Sequence, residues 1–289
     1  MTSNIPPSTP QAEQPGANGT DLYQAAYACL MEADIERKLA LTTQLWEDSQ
    51  QQRLQRDPAS PLAQAVPQPG RPPRPELVDP RKVPRRRLNS ENGRLALLHA
   101  VAHIEFNAIN LALDAAYRFR GMPDQYYADW IRVAAEEAYH FSLVRARMAE
   151  LGGHYGELPA HNGLWEQACK TTDDVMVRMA LVPRVLEARG LDVTPGMMER
   201  LREVGDEATV AVLEIILRDE IDHVRIGSHW YRYCCEQRGL EPEATFRELL
   251  RTVMKAPLRG PFYEAGRLMA GFSAEELHEL RLLEENWVA

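Results

Sequence analysis

The sequence predicts an all-α protein built on a four-helix bundle, and three observations carry that expectation. Two Glu-x-x-His pairs recur, each preceded by a lone glutamate. The two glutamate-to-pair intervals are nearly equal and suit antiparallel helices joined by a short loop. An alternating β pattern is almost absent, whereas apolar residues return at helical spacing.

Residues 1–20 are rich in Pro, Gly, Ser, Thr and Gln and are expected to form a disordered tail. A helix is expected from Asp21 to about Arg56, followed by an extended Pro/Arg-rich strap to residue 89, because proline does not continue helices. The core, about residues 90–240, then begins. Its first helix runs from Ser90 to about Arg120, and its second runs from the Gly121-Met-Pro-Asp124 turn to about Leu151. Gly152 to Gly163 is the long crossover, and a third helix is expected over Leu164 to Arg189. Thr194-Pro195 reads as the start of a fourth helix, with proline at its first position, continuing to about Gln237 with a bend near Gly205-Asp206. Short helical pieces form a C-terminal extension over residues 241–289. Pro183 lies one turn before Glu187 and is expected to kink helix three.

The pairs are Glu137-Ala-Tyr-His140 and Glu220-Ile-Asp-His223, with Glu105 32 residues before Glu137 and Glu187 33 residues before Glu220. Residues i and i+3 share a helix face, so each pair aims a carboxylate and an imidazole at one point. Two facing hairpins gather four carboxylates and two imidazoles there. This composition yields about one Glu-x-x-His by chance, so context decides. A third match, Glu275 to His278 with Glu243 upstream, fails on context. Pro257, Gly260, Pro261 and Gly271 interrupt it, and Ser273 with Glu276 reads as a capping box.

The retained motifs sit on apolar stripes. Leu98, Ala102, Ile109 and Ala112 flank Glu105; Trp130, Val133, Ala134, Phe141 and Val144 flank Glu137 and His140; Leu213, Ile216, Leu217 and Val224 flank Glu220 and His223. Four buried, unpaired carboxylates are costly. Two divalent metal ions bring +4 against −4 and turn metal binding into folding energy. A carboxylate-rich set with two imidazoles suits iron, or manganese, better than zinc or copper. A Glu from each of two helices, with Glu-x-x-His from each of the other two, is the pattern of ferritin-like carboxylate proteins.

The order Glu, Glu-x-x-His, Glu, Glu-x-x-His resembles rubrerythrin, the ribonucleotide reductase small subunit and bacterial multicomponent monooxygenases. A closer resemblance covers roughly residues 70–272. It is carried by His99-Ala-Val-Ala-His-Ile-Glu105, Glu136-Glu-Ala-Tyr-His-Phe141, Tyr155-Gly-Glu-Leu-Pro-Ala-His161, Pro183-Arg-Val-Leu-Glu-Ala-Arg-Gly190 and Asp219-Glu-Ile-Asp-His223. These stretches look like an uncharacterised bacterial ferritin-like family grouped beside the tRNA hydroxylase acting on modified adenosine. The resemblance implies a ferritin-like core and carries over Glu105, Glu137, His140, Glu187, Glu220 and His223 as metal ligands. Glu136 stands where several such proteins have aspartate, and Asp219 matches that pattern. Either acid, or Asp222, is placed to orient an imidazole from outside the ligand set.

The functional expectation is a di-iron oxidase or hydroxylase that activates O2 and acts on an unidentified small-molecule or RNA substrate, with Glu105, Glu137, Glu187 and Glu220 at its reactive centre. The alternatives are ferroxidation or peroxide removal, and a metal-stabilised bundle without turnover. No rubredoxin-like Cys-x-x-Cys pair supplies electrons. His103 is expected to pack away from the site, and Tyr139 to face off it.

The formal charge of −9 argues against general nucleic-acid affinity, yet it is unevenly spread. Residues 71–94 hold eight Arg and Lys against three acids, a net of +5 that leaves −14 elsewhere. The strap is expected to lie on its own acidic body, with tRNA phosphates or an anionic substrate as other uses. No stretch approaches ~20 uninterrupted apolar residues, so no membrane span is expected. Four cysteines without a pairing pattern, and the lack of a signal-peptide start, point to the cytoplasm. Bundles of this kind commonly dimerise, and a homodimer fits the helix face left exposed.

Overall fold

The computed structural model describes residues 19–83, 87–254 and 258–285. The tail expected over residues 1–20 falls almost wholly outside them, as do Arg85 and Arg86 of the basic cluster. The described chain is mostly helical; its only ladder is a two-residue parallel pairing of β1 (Thr20–Asp21) with β2 (Leu54–Gln55).

Two long helices, α3 (Glu91–Arg118) and α4 (Asp124–Glu150), come after α1 (Leu22–Met31) and α2 (Ile35–Gln50). Ser90 starts α3 by accepting from the Gly93 N–H, which supplies one of the bonds the first turn lacks. Gly121, at φ +78°, turns the chain back so that α4 runs antiparallel along α3. Leu98, Ala102, Ile109, Ala112 and Ala116 of α3 and Ala134, Phe141 and Val144 of α4 are fully buried; the alanines let the two axes approach closely. Among the described residues only α3 has the length and apolarity to cross a membrane, and 72% of that window is buried in the protein, as in a core helix.

The second half differs from the expected boundaries. Gly163–Cys169 forms a separate short helix, α5, and the third long run begins at α6 (Val175–Leu181), capped by the Asp174 carboxylate. It continues through a widened π turn (Val182–Glu187) into α7 (Ala188–Glu203). Thr194-Pro195 therefore lies inside a helix and does not begin one. Leu191 and Leu201 are fully buried, and this packing overrides the local cost of the proline. The true stop is Gly205 at φ +75°, after which Asp206 caps α8 (Glu207–Gln237). The expected N-terminal helix is likewise two, because Asp34 accepts from the Arg37 N–H and starts α2 afresh. The chain closes with α9 (Pro242–Leu249), α10 (Glu264–Met269) and α11 (Ala274–Glu285).

Pro183 produces a π turn where a simple kink was expected. Lacking an N–H, it cannot donate to Met179, and the turn widens around it. Gly227 of α8 makes room for it, since a Cβ there would overlap the Pro183 ring. Gly227→Ala is expected to cost about 1–3 kcal/mol in chemical denaturation. A change under about 0.5 kcal/mol would mean that the π turn yields freely.

Crossover and strap hold each other. The Val78 N–H donates to the Ala160 carbonyl at 2.8 Å, and the Ala160 N–H donates to Glu76 at 3.0 Å. Trp165 reaches from α5 to the Val66 carbonyl at 3.2 Å. Buried cations fasten the layers. Lys38 donates to the Cys29 and Leu30 carbonyls and to Asn110 Oδ1, while burial pushes its ammonium down to about 7. Arg178 pairs with Asp114 at 2.7 Å, and Arg267 with Asp192 at 2.7 Å.

Candidate metal centre

The four long helical runs each send acids or imidazoles to one buried point. Glu105 comes from α3, Glu137 and His140 from α4, Glu187 from the end of the π turn, and Glu220 and His223 from α8. One ligand atom from each of Glu105, Glu137, His140 and Glu220 falls within a 4.8 Å circle. His140 Nδ1 stands 3.4 Å from Glu105 Oε2 and 3.5 Å from Glu137 Oε2. His223 Nδ1 stands 2.9 Å from Glu137 Oε1 and 3.7 Å from Glu220 Oε1. Glu137 thus lies between both rings, whose centroids are 5.7 Å apart. Glu187 and His223 fall outside the 4.8 Å group; Glu187 is close enough to feel the charges of Glu220 and Glu137.

Outside this set, two acids cross between helices. Asp219, next to Glu220 on α8, meets His140 Nε2 at 3.1 Å; Glu136, next to Glu137 on α4, meets His223 Nε2 at 2.8 Å. A carboxylate on Nε2 favours the proton there and turns the Nδ1 lone pair toward the acids. Arg132 holds Glu136 at 3.1 Å and Asp222 at 2.6 Å. Asp222 touches no imidazole; it is part-exposed and anchors Arg132. No motif in the sequence marks that arginine, although it lies one helical turn before Glu136. Asp219→Asn is expected to weaken metal binding about 10–100-fold with the fold intact. An unchanged metal titration would assign Asp219 to surface pairing with Arg218.

Burial and neighbouring charges shift the proton affinities of these acids and imidazoles in opposite directions. Burial, then Glu137, drives the Glu105 carboxyl well above its usual range. Burial and Glu220 carry Glu187 up to about 8, and burial raises Glu220. Burial opposes charge on Glu137 too, but His223 and His140 hold that carboxyl low. Against their own burial, His140 is carried up to about 11 by Glu105 and Glu137, and His223 well above its usual value, chiefly by Glu137.

Hydrogen bonding leaves a sharper mark. Glu105 Oε2, both Glu137 oxygens, His140 Nδ1, Glu187 Oε2, Glu220 Oε2 and His223 Nδ1 are buried without a hydrogen-bond partner. Buried polar atoms are normally hydrogen-bonded, and these have only the neighbouring charges of the cluster, 2.9–3.7 Å away where imidazole meets carboxylate, to offset their burial. Every one of the six residues contributes at least one orphan, and the donor set of two nitrogens with carboxylate oxygens suits a hard divalent ion such as iron or manganese.

Other candidates disperse. Glu276 bonds to Ser273 and Arg184, Glu243 accepts from Ser273, and His278 is exposed. His103 bonds to the Tyr155 hydroxyl at 2.9 Å, and burial pushes it down to about 4. Tyr139 is 53% exposed. In the strap, Arg71 donates to the Pro72 and Pro75 carbonyls and Arg81 pairs with Asp79, while Arg94, in the first turn of α3, pairs with Asp206.

No solved structure matches this chain. An uncharacterised protein of Haemophilus influenzae is 44% identical over 268 residues, covering 89% of this chain and 93% of that protein. A family described as "Protein of unknown function (DUF455)" matches residues 31–278. With its buried Glu and His cluster lying inside that span, the chain belongs to the DUF455 family.

Proposed function

We propose that the cluster holds two metal ions, iron or alternatively manganese, in a ferritin-like bundle, and that the protein is an O2-dependent oxidase or hydroxylase. The observation that carries this reading is the set of seven orphaned buried atoms on Glu105, Glu137, His140, Glu187, Glu220 and His223. Four carboxylates against two divalent cations is a neutral assembly, which removes the cost of burying either alone. When bound, two ferrous ions supply two electrons to O2.

The chain's own groups set the conditions. Asp219 and Glu136 fix the imidazole tautomers from behind, each across the helix interface. Arg132 holds Glu136 and Asp222 in place. Buried Val133, Ala134 and Phe141 keep bulk water from the α4 side. In a hydroxylation one C–H bond breaks, one C–O bond forms, and the second oxygen leaves as water. The two electrons and two protons needed come from an external donor of the flavin or iron–sulfur class. A cavity that opens onto Glu105, Glu187 and Glu220 favours an organic substrate over bare iron oxidation.

The test is O2 consumption and absorbance change on exposing anaerobically Fe(II)-loaded protein to oxygen, beside Glu137→Ala. Rapid uptake that the variant lacks supports the reading. Bound iron that ignores oxygen would leave a metal-stabilised bundle.

A further inference from the structure

We infer that the substrate of this centre is a small apolar molecule, a bicyclic aromatic or a hydrocarbon skeleton of comparable size, lodged beside Glu105, Glu187 and Glu220. The inference rests on the oxidase reading and names the class of compound it acts on. A cavity of about 290 Å³ lies among α3, α7, α8 and the crossover, with those three glutamates in its wall. It is about twice the 150 Å³ that accommodates a benzene ring in an apolar protein cavity.

The wall chemistry selects the occupant. Ala100 and Ala108 of α3 leave the space that larger side chains would fill, and Ile104, Leu158, Leu186, Val193, Met197 and Leu217 line it. Ile104 is 50% exposed although it neighbours Glu105, as fits an apolar rim. Apart from the three acids, much of the polar surface of the wall is already engaged. His99 Nε2 accepts from the Gly156 and Leu158 N–H groups at 3.0 and 3.4 Å. His103 is held by the Tyr155 hydroxyl and the His161 carbonyl, and His161 Nδ1 accepts from the Gly163 N–H. Thr194 Oγ1 donates to the Gly190 carbonyl, while Arg189 donates to the carbonyls of Arg259 and Pro261. A polar ligand would lose its water for few replacement partners, whereas an apolar one gives up little on entry. The acids sit where the reacting carbon, not a recognition group, would face.

The experiment is equilibrium dialysis of the full-length protein, loaded anaerobically with Fe(II), against naphthalene and separately against adenosine. Metal is counted in the same samples. Ala100→Phe fills the cavity from α3 and Met197→Trp fills it from α7; the second position is half-buried and tolerates bulk. The expected result is one naphthalene per chain, weakened roughly tenfold or more in both variants at unchanged iron content, with no adenosine bound. No naphthalene binding by iron-loaded protein would overturn the inference. So would binding that neither filled variant weakens, or adenosine bound as tightly as naphthalene. Naphthalene bound to protein that holds no iron would overturn the metal reading instead and leave the apolar site standing.

Discussion

Stripped of divalent metal, the protein is expected to lose thermal stability as pH rises from 5.5 to 8, and added Mn(II) is expected to restore it most at pH 8. In the metal-free state the Glu187 carboxyl is carried up to about 8, and those of Glu105 and Glu220 are also raised. The folded protein therefore binds protons that the unfolded chain releases near 4.5. That contribution is complete below 4.5 and is lost as pH rises through 8. His140, carried up to about 11 from 6.5, acts in the same direction above pH 6.5. Glu137, held low, acts oppositely only as pH falls below its unfolded value, outside this window. Lys38, pushed down to about 7, and His103, pushed down to about 4, oppose the trend within it but are outweighed by the raised Glu105, Glu187, Glu220, His140 and His223. Metal competes with those protons, so its affinity grows with pH. At a thousandfold excess over Kd, binding adds about 4 kcal/mol, roughly 8–16 °C in melting temperature. Melts in chelator and in Mn(II) at pH 5.5, 7 and 8 check this. A metal-induced shift that does not grow with pH would place binding somewhere other than these acids.

Replacing Arg184 with methionine is expected to destabilise the protein by about 3–5 kcal/mol, among the largest effects of any single change outside the centre. Arg184 lies in the π turn, fully buried, and its Nη2 pairs with Glu276 of α11. Its guanidinium also stands 4.4 Å from the Phe272 ring centroid, 4.6 Å from Phe246 and 5.0 Å from Tyr231. Methionine fills much of that aromatic box but takes the close, buried cation from the Glu276 carboxylate, leaving it only the half-exposed Arg232 at 3.8 Å. Adding Glu276→Gln removes the stranded charge and keeps the bond to the Ser273 N–H, because glutamine serves a capping box as glutamate does. The double variant is expected to recover more than half of the loss in chemical denaturation. Equal stability of the single and double variants would show that packing, not charge, sets the cost.

The helical class and the cluster were legible for the same reason. A Glu-x-x-His pair on a helix is local, and its i, i+3 spacing fixes which face both side chains share. Glu105, Glu137, His140 and Glu220, all distinguished by spacing, come together within 4.8 Å. The buried ion pairs were not legible, because their partners lie far apart in sequence. Asp114 is 64 residues from Arg178, Asp192 is 75 from Arg267, and Glu276 is 92 from Arg184. Helix ends misled where one residue type serves two roles. Pro195 suits a first turn, yet it sits within α7, while Gly205 supplies the positive φ that ends the run. The crossed hydrogen bonds from Asp219 to His140 and from Glu136 to His223 depend on the packing of α4 against α8, which no local pattern encodes.

The most direct test of the paired-metal reading is the number of Fe(II) ions bound per chain in an anaerobic titration of chelator-treated protein, repeated with Glu137→Ala. Two tightly held ions are expected in the native protein, with loss of both in the variant, whose missing carboxylate lies between His140 and His223. A single ion, or none, in the native protein would contradict the reading.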